Sequence, residues 1–456
     1  MTEPSSEKLG TFSTLSIGIG GMVGGGIFAV TGLTIEVTRG AAPVAFLIAG
    51  IVALLTAYSY LKLTLAFPGE GGTVDFLNRA FGSGILTGAA NILLLLSYVV
   101  LLAVYAYAFG SYGADLFAED AQGFWQYVLT SGVIVGLVAV NIVASGLVIR
   151  SENLFNVLKM ILLGGLVVVG LSLPMDWSRV DPLGAVTPIG LVAGAMLIFL
   201  NYEGFELIAN ASKDVADPKH SLPIAYLGGV LVVILLYVLI VTVVLGHMSL
   251  EAIGQSRDTA LSAAGQQILG NAGYIAIVVA ALMATASAIN ATFYSTGRLA
   301  YIVAKTGELP RELERSIRGE HAEGSLICAA LALVIANFVP LEAIATMGSA
   351  GFLILFLGVN LASVKLARQT GARVWISGLA ALSTALALIV LCIDVAENPA
   401  TRNHLWILAG MITASLAIES AYRGITGRKI RLHRPKQHPR AASAASPREN
   451  PPPRSR

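Results

Sequence analysis

Charge, cysteine and histidine are all scarce in this chain. Asp, Glu, Lys and Arg make up 12% of its 456 residues, against 55% hydrophobic residues, and the mean hydropathy is +0.76. A soluble domain of this length has too little polar surface to shield so much apolar side chain, which excludes a water-soluble globular fold. The two cysteines, Cys328 and Cys392, sit far apart inside apolar runs and read as small apolar fillers, so neither a disulfide framework nor a thiolate metal site is supported. Of the six histidines, His220 and His247 fall at span ends with no partner at metal-ligand spacing. No nucleotide-binding loop is present, which argues against pumping driven by ATP. An enzyme is not expected, nor is a metal, a cofactor or a nucleic-acid partner.

Long apolar runs are abundant instead. Windows of about 20 residues with few charges recur along the chain, the length a helix needs to cross a hydrocarbon core. Twelve spans are expected, at 12–36, 42–66, 84–110, 124–145, 152–173, 188–212, 222–246, 270–304, 325–340, 345–367, 373–394 and 403–422. About 25 of the 29 Lys and Arg then fall on one side of the membrane or at that side's ends of the spans, leaving Arg39, Arg179, Arg257 and Arg402 on the other. Positive charge accumulates inside, so both termini are expected in the cytoplasm and the protein in the cell membrane. The polar first ten residues run straight into span one without a cleavable leader pattern. Residues 1–11 are the cytoplasmic N-terminus, 12–423 the span domain and 424–456 a basic tail with no apolar periodicity, expected to be disordered. Its cluster Arg428, Lys429, Arg431, Arg434 and Lys436 reads as solvated, or as touching anionic lipid. The loop 305–324, with Arg311, Arg315 and Arg318, is expected on the cytoplasmic surface, and 250–270 outside is long enough for a short surface helix.

Two spans are interrupted. Span one contains Gly20-Gly21-Met22-Val23-Gly24-Gly25-Gly26 near its middle. Each glycine costs roughly 1 kcal/mol against alanine in a helix interior, so five in seven positions argue against a continuous helix there. Unwound backbone survives at membrane depth only where it is buried in protein or lines a wet cavity. Span six carries Phe199-Leu200-Asn201-Tyr202-Glu203-Gly204-Phe205-Glu206, one glycine with Asn and two carboxylates in an apolar stretch. Five spans separate the two interruptions, an odd number, so the two halves enter the membrane in opposite directions. Paired interruptions in two inverted halves point to a secondary transporter with a midplane site.

At the first interruption the outer half-helix is expected to begin near Gly25-Gly26-Ile27. Its free N–H groups and positive dipole end suit a carboxylate. The inner half, ending near Gly21-Met22-Val23, is expected to leave carbonyls for an ammonium or a cation. Span six offers the same arrangement upside down, with carbonyls of Phe199, Leu200 and Glu203 freed. Together these describe a site for a zwitterion. Lys159 lies nine residues into span five after Arg150, roughly 13 Å deep at the helical rise. A cation that deep is costly and functional by default, as a fixed charge or proton carrier. Glu203 either faces the cavity or ties the unwound backbone, and Glu206, a turn inward, is expected to brace span six. Ser287 and Asn290 are interior polar groups of span eight, Asn290 read as an interhelical hydrogen-bonding residue.

At these residues the chain resembles the amino acid–polyamine–organocation (APC) superfamily of permeases. Residues 20–28 resemble that family's first-span motif, Gly-x-x-x-Gly-x-Gly-Ile/Val-Phe. Tyr202-Glu203-Gly204-Phe205-Glu206, then Lys213 to Pro218 and Ser221-Leu222-Pro223, resemble its sixth-span signature and following Asn-Pro loop, with Asp217 where Asn is common. Ser295-Thr296-Gly297-Arg298 through Gly307-Glu308-Leu309-Pro310 is similar to the stretch after its eighth span. The resemblance implies an all-α integral membrane protein of the LeuT type, with 12–173 and 188–367 as inverted repeats and 373–422 as helices eleven and twelve. It implies that Met22, Gly24, Gly25 and Gly26 hold substrate from span one, and Phe199, Leu200, Asn201 and Glu203 from span six. Lys159 matches the span-five lysine that stands in place of a sodium ion in sodium-independent members, which implies proton coupling or exchange rather than sodium symport. The expected protein is a monomeric or homodimeric secondary transporter of an amino acid or related amine, working by alternating access, with symport with protons and obligatory exchange both open. A transporter-like sensor without flux is the rival reading.

Overall fold

A computed structural model describes residues 8–181, 186–306 and 322–426, with the helical backbone alone at 142–153, 305–306, 322–323 and 425–426. Arg311, Arg315 and Arg318, the stretch Gly307-Glu308-Leu309-Pro310 and the basic tail lie outside the described residues, as does the side chain of Arg150.

The chain is all-α, a bundle of apolar helices. Among the described residues the one β feature is an isolated parallel bridge between Leu9 and Val215. Span one is α1 (Thr11–Met22) and α2 (Gly26–Thr38), span two α3 (Ala42–Ala66) and span three α5 (Ile85–Ala114). Between spans two and three lies α4 (Gly72–Phe81), a short amphipathic helix that the span pattern does not show. Its buried Thr73, Val74, Phe76, Leu77 and Ala80 mark an inward face at helical spacing. Span six is α7 (Pro188–Phe199), a 3-10 segment Leu200–Glu206 and α8 (Leu207–Asn210). Span seven is α9 (Pro218–Pro223), a π turn Ile224–Gly228 and α10 (Gly229–His247). The remainder are α11 (Leu250–Gln255), α12 (Ala260–Thr306), α13 (Ala322–Phe338), α14 (Leu341–Lys365), α15 (Ala367–Thr370), α16 (Val374–Glu397) and α17 (His404–Thr426). Ten segments among the described residues are long and apolar enough to cross a membrane.

Spans four and five are both carried by α6 (Glu119–Ser172), helical over 54 residues. A straight helix of that length would run roughly 80 Å. Yet Asp115, just before it, accepts a hydrogen bond from Ser262, while Gly170, near its end, packs on Ile268 a few residues further along α12. The element therefore reverses direction and supplies two spans, Glu119–Asn141 and Leu154–Ser172. In α12 the turn is explicit: Gly270 has φ 62° and ψ −150°, a conformation glycine adopts without strain. It divides a short surface helix from span eight, in the 250–270 stretch where the sequence leaves room for one.

Spans one and six run in opposite directions. Leu9, just before α1, exchanges backbone hydrogen bonds with Asp214 (2.7 Å) and Ala216 (2.9 Å), just after α8. Thr11 and Ser221 add a hydroxyl pair at 2.9 Å. Asp217 then caps α9 by accepting the His220 N–H, with Pro218 in the first turn, so either Asp or Asn serves at this position. Glycine lets neighbouring spans approach closely: Gly50 opens onto Ile234, Gly110 onto Thr130 and Gly351 onto Ser97.

Candidate functional site

Span one opens at residues 23–25. The inner half ends at Met22 and the outer half starts at Gly26, capped by no side chain, so the first N–H groups of α2 keep no helical partner. Of the carbonyls expected to be free at the end of α1, two in this region are taken. Lys159 Nζ donates to Gly20 O at 3.0 Å, and Tyr237 Oη donates to Met22 O at 2.6 Å. Buried lysine and tyrosine donors have replaced the water these carbonyls would otherwise need. Asn156, one helical turn before Lys159, presses on Gly20 so closely that a Cβ there would overlap its amide. Lys159 is 1% exposed.

Span six does not open. The sequence suggests freed carbonyls at Phe199, Leu200 and Glu203, but residues 200–206 tighten into a seven-residue 3-10 helix. Hydrogen bonding three residues back keeps the backbone satisfied in an apolar setting, which an unwound segment would not. With three residues per turn, side chains three apart share a face. One face, Asn201 and Gly204, meets span one: a Cβ on Gly204 would overlap the backbone of Gly21 and Met22, and Asn201 Oδ1 fills the space of a Cβ on Gly26. A second face, Tyr202 and Phe205, meets spans two, seven and ten through Phe46 O (3.0 Å), Tyr237, Tyr60 and Phe356. The third, Leu200, Glu203 and Glu206, meets spans three and ten. Leu200 packs on Gly348, which Val100 also borders, and Glu203 lies within electrostatic reach of Tyr98 and Tyr105.

The structure thus brings Gly26 against Asn201, Gly21 against Gly204, and Lys159 against Gly20. Gly24 and Gly25 face Tyr105, Thr285 and Ala288 of spans three and eight. Phe199 is not part of this convergence, for its ring packs on Phe356 of span ten. Met22 contributes its carbonyl, with its side chain near Gly229 of span seven. Both polar atoms of Asn201, one oxygen each of Glu203 and Glu206, and the Tyr98 hydroxyl are buried without a hydrogen-bond partner. Asn290 hydrogen-bonds Asn141 of α6 at 2.6 Å, as its interhelical reading requires. Tyr98, Tyr105, Tyr237 and Thr285 carry no signal in the sequence, because aromatic and hydroxyl residues in an apolar span read as packing.

The sequence profile of the amino acid permease family matches residues 9–416. The chain belongs to that family. It is 32% identical to the inner membrane transport protein YbaT of Escherichia coli, over 89% of this chain and 94% of that protein. It is also 32% identical to an uncharacterized protein of Methanocaldococcus jannaschii, over 81% and 85% respectively. A branched-chain amino acid permease of Lactococcus lactis is 25% identical over 80% and 83%. The family and the Escherichia coli and Lactococcus lactis relatives are transporters by name, not enzymes.

Both approaches to the interrupted spans of this permease are bridged by side chains. On the side where the chain begins, Thr73 of α4 donates to Glu206 at 2.5 Å and pairs with Tyr60 Oη at 2.6 Å. Beyond it, Glu70 binds Arg298 of span eight at 2.9 Å and Lys213 at 3.5 Å. Burial pushes the Glu70 carboxyl up, but the hydrogen bonds and charges of Arg298 and Lys213 outweigh this and hold it below its usual value. Glu70, Thr73, Tyr98, Glu206 and Arg298 line a cavity of about 10 Å³, room for about one water. On the far side Gly32 of α2 packs directly on the Arg257 carbonyl, Arg257 reaches Glu36 at 3.6 Å, and Tyr107 donates to Asp258 at 2.8 Å. There too lies a vestibule of about 360 Å³ whose lining includes Arg39, Glu342 and Asp394.

Proposed function

We propose that this permease carries an amino acid or related amine across the cell membrane by alternating access, in symport with protons, with both termini cytoplasmic. Spans one to five and six to ten would form inverted repeats of the LeuT type, supported by the opposed directions of spans one and six. The observation that carries the reading is the uncapped N-terminus of α2 standing against the unpartnered Asn201 amide. The α2 N-terminus offers N–H groups and a positive dipole end to a carboxylate. Asn201 and the glycine-lined backbone offer acceptors to an amine. Met22, Gly24, Gly25, Gly26, Leu200, Asn201 and Glu203 would frame the substrate, with the backbone of Phe199 continuing the wall.

Lys159 would couple this site to protons. Charged, it holds the Gly20 carbonyl at the end of the inner half-helix; neutral, it releases much of that hold and lets the two halves of span one move apart. A proton gained or lost at Nζ and the movement of span one would thereby be linked.

The test is uptake of labelled amino acids into proteoliposomes with and without an inward proton gradient. Saturable uptake accumulated by the gradient is expected, and accumulation should vanish in Lys159→Ala. Saturable counterflow indifferent to the gradient would mark an exchanger. Absence of saturable uptake for every amino acid tested would remove the transport reading altogether.

A further inference from the structure

We propose that Glu203 and Glu206 form a subsite for a second cationic group on the substrate, so that the protein favours amino acids bearing a side-chain amine or guanidinium. The inference rests on the transport reading above and adds the chemistry of the side chain. The two residues are three apart in a 3-10 helix, on one face, with their backbone positions about 6 Å apart along its axis. That face is turned toward span three rather than toward span one, where the α-amino and α-carboxyl groups would lie. Glu203 is 2% and Glu206 1% exposed. Each keeps one oxygen buried without a hydrogen-bond partner, Glu206 having spent the other on Thr73. No ion pair to either carboxylate occurs among the described residues; the acidic partners of Arg298 and Lys213 end at Glu70.

Two carboxyls buried side by side without a cation cannot both hold a charge except at high cost. A cation lodged between them removes that cost by donating hydrogen bonds of about 3 Å to the carboxylate oxygens. Asn201 and Tyr98, buried and unpartnered beside them, supply the rest of a polar lining that the protein's own groups leave unsatisfied. Lys159 does not fill this role, since its ammonium is held at Gly20 on the α1 side of the break. Of the two carboxylates, Glu206 also lines the cavity shared with Glu70 and Arg298.

The experiment is competition in proteoliposomes carrying the full-length protein, with unlabelled lysine, arginine or leucine competing against uptake of labelled alanine. Lysine and arginine should inhibit about tenfold more strongly than leucine. In Glu203→Gln that ratio should fall to about one, whatever uptake rate remains, and Glu203→Asp should retain most of it. Where Glu203→Gln does not reconstitute, Glu206→Gln serves, with a smaller fall expected because Thr73 already engages that group. Equal inhibition by lysine and leucine in the unmodified protein overturns the subsite while leaving alanine transport standing. So does a lysine preference that survives in folded Glu203→Gln. Loss of all saturable uptake in the unmodified protein instead removes the reading on which it rests.

Discussion

Span one, with five glycines in seven positions, lets go of its helix for three residues at the midpoint, whereas span six, with one glycine, winds tighter through the same level. The two meet at Gly21 and Gly204, where backbone lies on backbone. Opening exposes N–H groups and carbonyls, and the protein answers with Lys159 and Tyr237. Tightening exposes no backbone; it aligns side chains in three rows, and the chemistry moves to Asn201, Glu203 and Glu206. On the proposed function, one interruption would meet substrate by main chain, the other by side chain. Glycine number alone does not decide which, because what counts is whether each freed backbone group has a buried partner within reach.

The contrast can be broken most severely at the point of contact. Gly204→Leu should cost several kcal/mol, at least about 3, since it drives a side chain into the backbone of Gly21 and Met22. The check is loss of monodisperse protein in detergent. Gly24→Ala should be milder, because its Cβ would stand 3.1 Å from Ala288 Cβ and 3.2 Å from the Gly21 carbonyl, tight contacts rather than overlaps. If both variants behave alike, the backbone contact is not what separates the two interruptions. Next in size, Asn201→Ala should weaken apparent substrate affinity by about tenfold or more, measured as KM for alanine uptake, if the span-six side chain reads substrate. An unchanged KM would return recognition to the glycine backbone of span one. Thr73→Val removes the donor that Glu206 accepts, at a cost of about 1–3 kcal/mol seen as a lower melting temperature.

The smallest effect lies at Glu70. Its carboxyl titrates below its usual value in the folded protein, so its ion pairs contribute stability above the unfolded pKa near about 4.3 and lose it as pH falls through the folded value. The side chain is 52% exposed, so the contribution is under about 1 kcal/mol. Glu70→Gln should lower the melting temperature by a few degrees or less at neutral pH, and the difference should shrink as pH falls below about 4. A difference that persists in acid would assign Glu70 a role other than charge pairing.

Much of the architecture was legible because it is written in runs of single-type residues. Span two, expected at 42–66, is Ala42–Ala66, and span eleven, expected at 373–394, is Val374–Glu397. The break of span one was legible for the same reason, glycine being intolerable in so many helix positions at once. The mode of span six was not. Asn, Glu and Gly are compatible with an open turn or a 3-10 turn, and the choice fell to Gly21, Phe356 and Leu200's partners, which lie far away in sequence. Nor could one sequence orient Tyr98, Tyr105 or Phe199. Phe199, adjacent to the break, turns its ring to span ten, while Tyr105, more than ninety positions earlier, covers Gly25.

Composition by itself determined that this chain lives as apolar helices, where two of them are interrupted, and that a lysine is carried deep among them, since hydrophobic length, glycine content and buried charge each have a fixed cost in hydrocarbon. Only the tertiary structure decided which carbonyls stay free, which face each carboxylate takes and what stands opposite it. Those outcomes depend on the partner brought within about 3 Å, a distance set by packing between spans and absent from any single run of residues.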